Sequence, residues 1–135
     1  MNTPSIPLAS STINADQVRF FVDQGYLVMP DLISPDEVEE LRCDLIRLAR
    51  GHYPCEQMPP QPASITDRQV LENLLCVHMP HRISPVMHRF CLHPGIAAVL
   101  SHIVAAHLPH WDGAVKCMQS MLFVKPPGRP GQACH

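Results

Sequence analysis

Apolar residues recur at helical spacing along most of this chain and switch to a strand pattern only near its end. Val18, Phe21 and Val22 share one helical face. Asn14-Ala15-Asp16-Gln17 precedes them as a capping box, with the Asn14 side chain accepting a backbone N–H and Gln17 reaching back. Gly25 supplies the left-handed residue that ends such a helix. Tyr26-Leu27-Val28-Met29 then reads as a short strand stopped by Pro30.

Ser34-Pro35-Asp36-Glu37 is a second helix start, with a cap, proline at the first helical position and the acidic residue that completes the box. Val38, Leu41, Leu45 and Leu48 follow on one face. Acidic residues at the start, Arg47 and Arg50 at the end and Gly51 as terminator suit the helix dipole. Residues 52–65 hold four prolines and no period. A loop of that length is expected to be disordered or functional, for example as a lid.

Shorter helices are expected after it. Thr66 to Leu75 would turn Val70, Leu71, Leu74 and Leu75 inward. Ser84-Pro85 opens another helix that ends before Pro94. Ile96, Val99, Leu100, Ile103 and Val104 mark a further one, ended by Leu108-Pro109, and Asp112-Gly113 is a turn signal. Val115 to Lys125 has no helix cap and is rich in strand formers, so it is read as a buried strand. Period two puts Cys117, Gln119, Met121, Phe123 and Lys125 on one face. Met118, Ser120, Leu122 and Val124 take the other. Pro126 to Gly131 is a tight loop, and Gln132 to His135 starts another strand. The stop at His135, with no cap or tail, reads as a truncated frame or fragment.

Composition narrows the classes. The 135 residues suit one domain, read as a loose tail over 1–13 and a single body over 14–135. Ten Lys and Arg against twelve Asp and Glu give a net charge of −2, which excludes a strongly basic nucleic-acid face. The N-terminal stretch carries no Lys or Arg and no long apolar run, so neither a signal peptide nor a transit peptide is expected. The apolar run Ile96–Ala106 is too short to span a bilayer. A cytoplasmic protein without membrane or nucleic-acid partners is the expectation. Six cysteines without a CxxC then read as reduced thiols, mostly filling the core. Nine histidines would raise the charge appreciably below about pH 6.5.

One stretch carries chemistry. Gln119-Ser120 and Lys125 in QSMLFVK, followed by PPGRPGQACH ending at His135, resemble the phytanoyl-CoA dioxygenase family of iron(II)/2-oxoglutarate oxygenases, which includes ectoine hydroxylase. The helix leading to Gly25-Tyr26-Leu27-Val28, the helix opened by Leu32-Ile33-Ser34 and the His93-Pro94 pair before another helix are similar to the family as well. The resemblance covers most of 14–135. It implies an α+β fold in which N-terminal helices precede the first strands of a double-stranded β-helix, or jelly roll, here truncated.

It also implies a site. His135 matches the first His of the HxD dyad that, with a distal His, holds iron(II). Two imidazoles and a carboxylate leave open positions for 2-oxoglutarate and dioxygen. Lys125 matches a family lysine that binds a 2-oxoglutarate carboxylate, against the alternative of a strand-end lysine in solvent. Gln119, six residues earlier on the same face, matches a substrate-facing glutamine, against a satisfied buried amide. Arg82 stands where some members place another basic co-substrate residue, against a plain surface arginine. The implied reaction is ascorbate-supported hydroxylation of an unactivated C–H in a small-molecule or acyl substrate. The Asp of HxD, the distal His and the arginine for the far carboxylate would lie past residue 135, so the chain as given is expected to be inactive.

Two other classes stay open. His78 and His81, or His107 and His110, with Cys76 or Cys91, suggest a zinc site, although Pro80 and Pro109 interrupt both pairs. The apolar helix faces suit a non-catalytic helical interaction module, although such stripes usually mark a core.

Overall fold

The computed structural model describes residues 13–56, 58–108, 110 and 112–128. Their elements are α1 (Ala15–Gln24), α2 (Pro35–Ala49), α3 (Asp67–Asn73), β1 (Cys76–His78), a 3-10 turn (Pro80–Arg82), α4 (Pro85–Cys91), α5 (Pro94–Ala105) and β2 (Met121–Phe123). The architecture is α+β, and no helix among the described residues is long and apolar enough to cross a membrane. The described residues fall into two units: those of Met1–Ser34 with Leu92–Cys117, and those of Pro35–Cys91 with Met118–His135.

In the first unit α1 packs on α5. Asn14 and Gln17 form the expected capping box, and Gly25 ends α1 at φ 79°. Ile13, at the edge of the expected tail, is buried. The expected strand Tyr26–Met29 does not form. The segment is held by side chains on α1 instead of by a ladder: Tyr26 sets its ring edge-on to Phe20 at 5.2 Å, and the Gln17 amide donates to the Met29 sulfur. His93 caps α5, its Nδ1 accepting the Ile96 N–H at 3.3 Å. The Asp112-Gly113 turn is present, with the Ala114 N–H donating to Asp112 Oδ1.

The second unit is built around Leu48, Ala49, Val70, Leu74 and Val77, with Leu45, Ile46, Leu122 and Val124 packed against them. Helices α3 and α4 lie on α2. Thr66 caps α3 through a capping box with Gln69. Leu74 leaves the helix with extended backbone, so Leu75, expected inward, is 69% exposed. Ser84 opens α4, its Oγ accepting the Met87 N–H at 3.1 Å.

Across its described residues the proline-rich segment is tied to α2 and the core. The Gln61 N–H donates to the Ala49 carbonyl, and Arg50 donates to the carbonyls of Pro62 at 3.0 Å and Ile65 at 2.9 Å. Tyr53, Met58 and Ile65 pack on the core.

The long buried strand expected over 115–125 is also corrected. Only Met121–Phe123 pairs, antiparallel to β1, with Cys76 opposite Phe123, Val77 opposite Leu122 and His78 opposite Met121. Single hydrogen bonds extend the ladder at each end, from the Met79 N–H to the Ser120 carbonyl and from the Val124 N–H to the Leu75 carbonyl. The partner strand limits the pairing. β1 is confined between α3 and Pro80, which has no N–H to donate, and Met79 turns the chain at φ 51°.

Candidate functional site

The sheet has two unlike faces. Val77, Leu122 and Val124 pack against the core. Directly opposed residues of an antiparallel pair share a face, so Cys76 and His78 stand with Phe123 and Met121 on the other side. Gln119 and Lys125 continue that side by alternation and are exposed, as are Met121 and Phe123. The period-two reading of the sequence is observed from Gln119 to Lys125, whereas Met118, expected on the opposite face, is 87% exposed.

The Lys125 ammonium lies 5.7 Å from the centre of the Phe123 ring and makes no ion pair among the described residues. It also borders a cleft of about 770 Å³ between α2, α3 and residues 124–127, floored by Leu45, Ile46, Leu71 and Val124. The acidic residues of that cleft are committed to other cations: Glu39 to Arg42, Glu72 to Arg68 and Asp67 to Arg50. The Cys43 thiol there donates to Glu39 at 3.5 Å, which raises its pKa and keeps it a thiol. Lys125 is thus a cation with no carboxylate partner beside an apolar surface. An arriving carboxylate would find a charge not already neutralised.

The other candidates are dispersed. Arg82 sits on the 3-10 turn, exposed and outside that cleft. Gln119 is exposed on the Lys125 face. His135 lies outside the described residues, as do Cys134 and the second half of the loop Pro126–Gly131. None of the five described cysteines is in a disulfide, and none is buried, which corrects the expectation of core filler.

The histidine pairs do not share helical faces. His78 is on β1, while His81, on the 3-10 turn, engages Ser120 Oγ through Nδ1. His107 sets its ring edge-on to Phe21 at 5.9 Å. The donors that iron(II) of this type requires, two imidazoles and a carboxylate, are not assembled among the described residues of either unit. The lysine fits one end of a dicarboxylate; the described residues do not by themselves fit the metal.

A polar cluster in the second unit was missed from the sequence. Asp44 is 2% exposed and Ser84 1%. Tyr53 Oη donates to Asp44 Oδ1 at 2.6 Å, and Ser84 Oγ donates to Oδ2. The hydrogen bond to Asp44, chiefly, raises the Tyr53 pKa. A signal existed, because Asp44 lies three residues after Leu41 and four before Leu48, within the apolar stripe itself.

The chain belongs to the phytanoyl-CoA dioxygenase family, whose model matches residues 21–135. At the level of the family it is an oxygenase. No curated protein and no solved structure matches the chain.

Proposed function

We propose that the chain is the N-terminal part of an iron(II)/2-oxoglutarate-dependent dioxygenase that hydroxylates an unactivated C–H of a small-molecule or acyl substrate. On this reading β1 and β2 are the first strands of a double-stranded β-helix whose interior is the open face of the sheet. Lys125 binds one carboxylate of 2-oxoglutarate, Gln119 faces the substrate, and Arg82 is a second basic contact. His135 would hold iron(II), with the carboxylate and second imidazole supplied by chain past residue 135. Iron(II), if held there, would supply the oxidation of C–H by dioxygen, coupled to conversion of 2-oxoglutarate to succinate and carbon dioxide. The protein's share is to bind the dianion, orient the substrate carbon and exclude water.

The observation that carries the reading is Lys125: a cation without an ion pair among the described residues, on the open face, in a chain of this family. The test uses the full-length chain. Succinate release should require both iron(II) and 2-oxoglutarate and be supported by ascorbate. Lys125→Met should weaken 2-oxoglutarate binding at least about tenfold, equivalent to about 1.4 kcal/mol, with the circular dichroism spectrum unchanged. Unchanged affinity in Lys125→Met, or a longer frame with no Asp two residues past His135, overturns it.

A further inference from the structure

The register of β1 against β2 adds residues to the open face that spacing along the sequence does not connect with Lys125. Hydrogen bonds join Leu75 to Val124 and Met79 to Ser120, so the pairs Cys76–Phe123 and His78–Met121 fall at positions where opposed side chains stand closest. Cys76 is then diagonal to Lys125, and His78 diagonal to Gln119, at about 7–8 Å between backbones. The Cys76 thiol is free and half-buried. The His78 ring is exposed and has no hydrogen-bond partner among the described residues. Met121 and Phe123 lie between the two ends as an apolar centre.

We infer that β1 supplies a second wall of the pocket, with Cys76 beside Lys125 at the co-substrate end and His78 beside Gln119 at the substrate end. This rests on the reading that Lys125 receives 2-oxoglutarate. Lys125 lies four residues from Met121 along the strand, about 13 Å at the rise of an extended chain. A dicarboxylate held at the lysine therefore covers Cys76 and leaves His78 open. The imidazole is left to meet a hydrogen-bonding or anionic group of the substrate. The substrate class this fits is a molecule with such a group next to the apolar carbon to be hydroxylated.

The experiment takes the full-length enzyme, loaded anaerobically with iron(II), and 2-oxoglutarate as the probe. Alkylation of Cys76 by iodoacetamide and acylation of His78 by diethyl pyrocarbonate are followed by mass spectrometry. Bound 2-oxoglutarate should slow Cys76 at least fivefold and His78 less than twofold. Cys76→Phe should bind 2-oxoglutarate at least tenfold more weakly while melting as the parent does. His78→Leu should leave that affinity within twofold. An unchanged Cys76 rate with 2-oxoglutarate bound overturns the second wall, as does parental affinity in Cys76→Phe. Protection greater at His78 than at Cys76, or weak binding by His78→Leu, overturns the assignment of ends. If Cys76 is protected but Lys125→Met binds as the parent does, the wall stands and the role of Lys125 falls.

Discussion

The Tyr53 hydroxyl donates to the buried Asp44 carboxylate at 2.6 Å, joining the first residues after α2 to the helix they have just left. Ser84 approaches the second carboxylate oxygen, so one side chain ties α2, the proline-rich loop and the start of α4. A buried carboxylate accepting two hydroxyls is a structural tie, and its removal strands both donors. Asp44→Ala should cost about 2–3 kcal/mol and Tyr53→Phe about 1 kcal/mol, read from urea denaturation. Parental stability in Asp44→Ala would show the cluster to be idle.

The same contact sets a pH dependence. Hydrogen bonding to Asp44 raises the Tyr53 pKa above the ordinary value of about 10. The raised value means that the fold favours the protonated phenol. Its contribution is complete below the unfolded pKa and is lost as pH climbs through the folded one, so it fades only in the alkaline range. Ultraviolet titration of a Tyr26→Phe background should place the Tyr53 transition above that of the denatured chain, and Asp44→Ala should bring it back. Identical transitions in folded and denatured protein would refute the argument.

Arg50 fastens the proline-rich loop through two backbone carbonyls and Asp67. Lysine cannot reproduce this forked set of donors. Arg50→Lys and Arg50→Met should both speed proteolytic cleavage within residues 52–65 severalfold. Cleavage elsewhere at the parental rate would confirm that the effect is local, whereas an unchanged loop would contradict the clamp.

Two glycines with positive φ separate backbone strain from crowding. At Gly25, φ 79°, an added methyl meets nothing within 4 Å. Gly25→Ala should cost about 1 kcal/mol for conformation alone. At Gly51, φ 76°, the same methyl would come within 2.5 Å of Pro60 Cγ. Gly51→Ala should be clearly the worse of the two in thermal melts, because the loop must shift as well. Equal melting temperatures would mean that Pro60 yields freely.

Local signals named the helices because each is written within a few residues. Asn14 with Gln17 and Gly25 produce the caps expected of them, and the helix expected from Thr66 starts there. The alternation from Gln119 to Lys125 was legible for the same reason, since a strand's two faces follow from its own geometry. Strand length was not legible. Tyr26–Met29 has strand composition but forms no ladder, and β2 extends only as far as β1 can meet it. Asp44 looked like a gap in an apolar stripe until Tyr53, past the end of its helix, and Ser84, 40 residues away, supplied donors for its carboxylate.

The sequence by itself therefore determined the helix starts, the family and the face on which Lys125 stands, all of which depend on neighbours along the chain. Tertiary structure alone decided which segments pair, what meets the buried carboxylate and that Cys76 and His78 join the lysine's face. Those outcomes depend on contacts between residues far apart in sequence, and no local pattern encodes a partner's position.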